Sequence, residues 1–212
     1  MKAGSEEWHK FRAGRFTASE CAALMGEKGG VTTATAQTYI LKKVAEVLTG
    51  GWRADVSTAE TRWGDEMEPE AALYYEMAVK ETIEKPNPQC PEWSDDVSGS
   101  PDGLVYSDTG VYGIEIKCPY NPVNHVRHMQ LKTEADLKKL NKEYYWQVLC
   151  YMLIFGLDRY EFVSFDPRFT GANRMYILPF HRANVIADID RLKTALIEAV
   201  KAKQDYLKRI EL

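Results

Sequence analysis

Three residue types at a telling spacing open the chemistry of this chain. Ser100-Pro101-Asp102 is followed by twelve residues and then by Glu115-Ile116-Lys117. Side chains on a strand alternate faces, so Glu115 and Lys117 share one face while Ile116 turns into the core. Asp102 opens the neighbouring strand of the hairpin and reaches the same face. Two carboxylates and an ammonium on one small surface are expensive to hold unless a divalent cation joins them. Hard carboxylate oxygens suit Mg²⁺ or Mn²⁺. An acidic helix upstream offers a third carboxylate from Glu66, Glu68 or Glu70. Such a site can flank a phosphodiester, acidify a bound water and stabilise a leaving oxygen. The plainer reading is a salt bridge between Glu115 and Lys117, with Asp102 in a turn.

The elements that must position these groups follow from pattern. Trp8 and Phe11 share one face of a short first helix. Thr17 and Glu20 have capping-box spacing, predicting a helix that stops at Gly26. Apolar periodicity predicts helices from Thr35 to Leu48 and from Ser57 to Val79, the latter kinked or restarted at Pro69. Between residues 97 and 117 the period shortens to that of strands, with runs Leu104–Tyr106 and Val111–Ile116 around turn residues. Residues 143–155 read as a helix, Tyr160–Phe165 and Met175–Phe180 as strands, and Arg182–Leu207 as a long amphipathic helix. The expected fold is therefore a mixed α/β or α+β core with helices packed on a sheet.

At 212 residues the chain predicts one domain spanning 1–212, with no repeat or low-complexity linker to divide it. Four cysteines without a Cys-x-x-Cys pair predict free thiols in a reducing cytoplasm. No apolar leader or membrane-length stretch is expected. The net charge is −4, which argues globally against a nucleic-acid binder. The distribution argues otherwise: residues 1–53 carry +3, residues 54–108 carry −11 and residues 109–212 carry +4. The acidic excess is confined to the middle, leaving the ends free to form a basic face.

Five segments, taken together and in order, resemble the lambda exonuclease and YqaJ-like viral recombinase group of the PD-(D/E)xK nuclease superfamily. They are Trp8-His9-Lys10-Phe11-Arg12 with Phe16-Thr17-Ala18-Ser19-Glu20; Trp63-Gly64 followed by Glu68; Ser100-Pro101-Asp102-Gly103; Glu115-Ile116-Lys117-Cys118-Pro119; and Tyr145-Trp146-Gln147-Val148. The likeness runs from residue 8 to about 169 and includes Phe165-Asp166-Pro167-Arg168. The gap between Asp102 and Glu115 is longer than the family's, predicting a longer hairpin turn around Ser107-Asp108-Thr109-Gly110.

The resemblance implies a restriction-endonuclease-like core, a central mixed sheet flanked by helices. It implies a Mg²⁺-dependent exonuclease, with Mn²⁺ as a substitute, that digests one strand of linear duplex DNA from 5′ to 3′. The 3′ overhang would pass to a single-strand annealing protein in phage-type recombination. It implies metal ligation by Asp102, Glu115, the Ile116 carbonyl and Glu68, and catalysis by Asp102, Glu115 and Lys117. Arg12, Ser19, Ser100 and Gln147 match a pocket for the terminal 5′-phosphate, and assembly as a trimeric ring is implied. A lysine is a poor base near neutral pH, so Lys117 is expected to position water and stabilise charge. An endonuclease of the same superfamily and a non-enzymatic DNA-end scaffold are the alternatives. Neither employs every one of these residues, since an endonuclease has no use for the phosphate pocket and a scaffold none for Lys117.

Four further features carry weaker signals. His125 and His128 have helical spacing but lack the further ligands of a zinc site. Cys118 reads as a packing residue. Tyr144-Tyr145-Trp146 read as core contacts before base-stacking ones. Trp52-Arg53 reads either as a wedge for a duplex end or as a contact at a helix end.

Overall fold

The computed structural model describes residues 4–26, 30–51 and 58–210. Trp52 and Arg53, and the Ser57 start expected for the acidic helix, lie outside them. Seven helices and seven strands are described: α1 Glu6–Arg12, β1 Phe16–Thr17, α2 Ala34–Leu48, α3 Ala59–Val79, β2 Ile83–Glu84, β3 Val97–Ser98, β4 Gly103–Ser107, β5 Gly110–Lys117, α4 Pro122–His128, α5 Glu134–Leu140, α6 Lys142–Phe155, β6 Arg159–Phe165, β7 Met175–His181 and α7 Arg182–Ile210.

The central sheet has the order β2-β4-β5-β6-β7. Only the β5–β6 pair is parallel, because α4, α5 and α6 make the crossover between them. The sheet is mixed and flanked by helices, as expected. On one face Tyr112, Ile114 and Ile116 of β5 pack with Val163 and Phe165 against Ala71 and Tyr75 of α3. The other face, with Tyr160, Phe162, Leu178 and Phe180, meets α6, α7 and α2.

Three expectations change. Cys21–Leu24 form a single 3-10 turn instead of an α-helix, and Glu20 makes no side-chain cap. Its carboxylate is drawn away by Lys42 and Lys43 of α2. The helix α3 runs unbroken through Pro69, with its N-terminal Thr58 capping Thr61. The β4–β5 turn is not lengthened: Ser107 pairs with Gly110, so only Asp108 and Thr109 lie between paired residues. The extra residues extend the ladder instead of the loop. The short parallel pair β1–β3 brings Phe16-Thr17 beside Val97-Ser98, which delivers the N-terminal segment to the head of the β4–β5 hairpin.

Candidate active site

The carboxyl end of β5 lies where α3 and α6 straddle the sheet. There an open cleft of about 390 Å³ is lined by Glu60, Thr61, Gly64, Asp65 and Glu68 of α3 on one side. Asp102, Ile116, Lys117, Cys118, Pro119 and Tyr144 line the other. Open sheets place ligand sites at the carboxyl ends of their strands, because the side chains there converge while the helices part.

Pairing of Gly103 with Ile114 sets Asp102 beside β5. Asp102 Oδ2 accepts from the Ile116 N–H at 2.7 Å. Glu115 is 1% exposed; its Oε1 accepts from Lys117 Nζ and from Gln147 Nε2, each at 2.5 Å. Its Oε2 is buried with no hydrogen-bond partner. Burial raises both acids: Asp102 is pushed well up, with Glu115's charge adding to the effect, and Glu115 rises although Lys117 opposes it. Burial works against the Lys117 charge, but Glu115 and Asp102 outweigh it and raise the ammonium above its usual range. Lys117 Nζ also lies 5.0 Å from the centre of the Tyr144 ring.

Of the three helix carboxylates, only Glu68 lines the cleft; Glu66 and Glu70 are exposed away from it. Glu68 pairs with Lys85 at 2.8 Å. Lys85 follows the short edge strand β2, and sequence reasoning missed it because no motif marks it. Among the described residues no three His, Cys, Asp or Glu side chains converge tightly enough to cage an ion. The donor set still fits a hard divalent cation. Glu68, Asp102 and Glu115 are all oxygen donors, and one buried carboxylate oxygen lacks any donor of its own.

The four residues matched to a phosphate pocket fall into two linked groups. Arg12 Nη2 donates to Ser19 Oγ at 3.0 Å, and its guanidinium lies 4.2 Å over the Trp8 ring. Gln147 touches Glu115 and Tyr151, and the Tyr151 hydroxyl donates to the Ser100 carbonyl at 3.1 Å. Gln147 thus ties its neighbourhood directly to a carboxylate of the site.

The weaker candidates resolve structurally. His125 and His128 are buried, and both Nδ1 atoms lie 2.8 Å from Ser164 Oγ. Tyr145 and Trp146 belong to the core, whereas Tyr144 is half-buried on the cleft. Cys118 packs at the edge of the α3 cluster, and burial pushes its thiol up to about 12. No helix among the described residues is long and apolar enough to cross a membrane.

The YqaJ-like viral recombinase domain family matches residues 7–158 of the chain. No curated protein matches it. Among solved structures it is similar to an alkaline exonuclease (LHK-Exo) from Laribacter hongkongensis, at 29% identity over 98% of both chains with a TM-score of 0.76. That enzyme in complex with dAMP gives 28% identity, the same coverage and the same TM-score. A phage-related exonuclease from Haemophilus somnus 129PT shares the fold, at 17% identity, a TM-score of 0.71, and coverage of 92% of this chain and 96% of that one.

Proposed function

This chain belongs to the YqaJ-like viral recombinase domain family, and from that premise we propose that it is a divalent-metal-dependent 5′-to-3′ exonuclease of linear duplex DNA. The observation that carries the reading is one cleft shared by Asp102, Lys117 and Glu68, with Glu115 bonded to Lys117 beside it. The similar enzyme holding dAMP supports a mononucleotide product.

Glu68, Asp102, Glu115 and the Ile116 carbonyl would hold the cation, Mg²⁺ or Mn²⁺. When bound, it supplies Lewis-acid charge to the scissile phosphate and acidifies water. Lys117 keeps its proton on Nζ across the neutral range, since Glu115 and Asp102 stabilise the ammonium. It therefore serves as a hydrogen-bond donor that orients water and offsets charge on the phosphate, not as a base. Asp102 holds the Ile116 amide, which fixes the strand end against the hairpin. Arg12, Ser19, Ser100 and Gln147 would hold the terminal 5′-phosphate, Arg12 through its planar fork. Gln147 then couples the held end to Glu115, which sets the distance from chain end to scissile bond. The whole chain acts as one nuclease domain in the cytoplasm, assembled as a trimeric ring, and passes 3′ overhangs to a single-strand annealing protein.

The test compares linear duplexes bearing 5′-phosphate or 5′-hydroxyl ends with closed circles, in Mg²⁺ and in chelator. Expected are mononucleotide release from linear DNA only, loss of activity in chelator, and faster digestion of phosphorylated ends. Arg12→Ala should shrink that preference roughly ten- to hundred-fold, the cost of a charge-assisted hydrogen bond. Cutting of closed circles would overturn the exonuclease reading in favour of an endonuclease. Full activity in chelator would overturn the role of the metal.

A further inference from the structure

One turn of α3 lies bare where it faces the cleft. The cleft-facing row is Glu60, Gly64 and Glu68, each four residues from the next, with Thr61 and Asp65 alongside. Gly64 is the middle member, in the second turn of a 21-residue helix. A glycine there weakens the helix relative to alanine. Nothing in the chain requires it: its backbone has no positive φ, and among the described residues a Cβ would meet no atom within 4 Å. The glycine leaves a notch between two carboxylates, in the cleft that Lys117 and Pro119 also line.

The helix turn that carries the notch is held firmly from its adjacent side. Trp63, the neighbour of Gly64, lies edge-on to Tyr120 and under the Arg168 guanidinium, 4.7 Å from its ring centre. Arg168 in turn donates to the buried Asp166 carboxylate and to the carbonyls of Pro119 and Tyr120. One arginine thus locks α3 to the segment that follows the catalytic strand. The open space at Gly64 is therefore built in and is not slack that a neighbouring side chain fills.

We propose that the notch at Gly64 receives the deoxyribose of a nucleotide flanking the scissile phosphate. This rests on the nuclease reading and names the contact that its substrate makes with α3. Glu60, Asp65 and Glu68 surround the notch, and that acidic rim repels a bare phosphate. A sugar edge carries no charge and packs against helix backbone. Close approach of a ligand to the main chain is the circumstance in which glycine is kept at a cost to stability.

The experiment uses the full chain and Gly64→Ala. Removing a helix-interior glycine should raise the Tm by about 2–4 °C. The same change should raise KM on 5′-phosphorylated linear duplex about tenfold with a smaller effect on kcat, as overpacking of a contact surface does. Duplexes in which a three-carbon spacer replaces the nucleoside on either side of the scissile phosphate locate the contact. With the spacer at the position that occupies the notch, the Gly64→Ala penalty should vanish. An unchanged KM, a lowered Tm, or a penalty that survives both spacers would overturn the proposal. If the wild-type chain cuts no DNA, the nuclease reading fails by itself. The two proteins are then compared for binding the same duplex in Ca²⁺, where weaker binding by Gly64→Ala supports the notch and equal affinities overturn it.

Discussion

At Asp102 and Glu115, the proposed function and the stability of the fold pull against each other. Burial raises both acids, and the Glu115 charge raises Asp102 further, so the folded chain holds their protons more tightly than the unfolded chain does. An acid with a raised folded pKa binds more protons folded than unfolded, so its contribution to stability falls as pH rises above about 4. At neutral pH and without metal the pair is therefore a liability. Asp102→Asn removes one charge while its amide oxygen can still accept the Ile116 N–H. It should raise the Tm in chelator by a few degrees, about 1 kcal/mol or more, while reducing DNA hydrolysis in Mg²⁺ by orders of magnitude. A lowered Tm in chelator would show that the aspartate is held chiefly as a structural acceptor. The Asp102 and Glu115-x-Lys117 pattern was legible because strand alternation dictates which side chains share a face. Lys85 was not, because its place at Glu68 depends on a two-residue edge strand with no sequence period. Nor did the sequence suggest that Gln147 would bond to Glu115, since residues 32 apart in sequence meet only once α6 crosses the sheet.

Among elements, the long helices α2, α3, α6 and α7 and the strands β4 to β7 follow the apolar pattern closely. The seven-residue helices α4 and α5 span only two turns, too few for periodicity to distinguish them from loops. The 3-10 turn at Cys21–Leu24, where capping-box spacing predicts an α-helix, has its cause in α2, which presents a buried ion network to the N-terminal segment. Lys43, 3% exposed, contacts both Glu20 and Glu46. Glu46 Oε2 accepts from the Gly14 N–H at 2.9 Å, and Lys203 of α7 donates to the Gly14 carbonyl at 2.8 Å. Gly14 has φ +73°, and a Cβ there would lie 2.5 Å from Val47. Two charged side chains of opposite sign therefore hold both polar groups of the turn between Arg12 and Ser19. Glu46→Ala leaves the buried Lys43 with Glu20 as its remaining carboxylate and takes the acceptor from the Gly14 N–H. Leaving that buried N–H unsatisfied and weakening the ion network should cost about 1–3 kcal/mol, read by denaturant unfolding. Glu46→Gln keeps an acceptor for Gly14 and should cost less. Equal losses in the two variants would mean that the charge, and not the Gly14 bond, is what matters.

For the whole molecule, charge and pH are the levers. An acidic monomer has little grip on duplex DNA, and the basic excess at both chain ends suits the lining of a ring; light scattering should give about 73 kDa, three times 24.2 kDa. A monomer that still digests long DNA processively would refute the ring. One contribution to the acid sensitivity of the fold lies where the crossover docks on the sheet. His125 Nε2 lies 2.9 Å from the Asn173 carbonyl and donates to it. The Ser164 hydroxyl lies 2.8 Å from Nδ1 of each ring and accepts from the Nδ1–H of His128. One hydroxyl thus bridges the two imidazoles. The remaining nitrogen of His128 can be protonated only inside a buried site against Phe162 and beside His125, and burial, with His125 adding, lowers its pKa to about 4. Unfolded, the same ring titrates near 6.5, so between about pH 6.5 and 4 the unfolded chain binds the extra proton. Stability from this group is complete above that window and is lost as pH falls through it, by up to about 3 kcal/mol. Asp102 and Glu115 shift in the opposite sense over part of the same range, so the wild-type curve alone does not isolate the histidine. His128→Asn keeps a donor for Ser164 and removes the titration, while leaving the acids untouched. The stability advantage of the wild type over His128→Asn, measured by denaturant unfolding at pH 7.5, 6, 5 and 4, should shrink progressively toward acid. A gap that stays constant across those four conditions would show that His128 does not govern the acid limb.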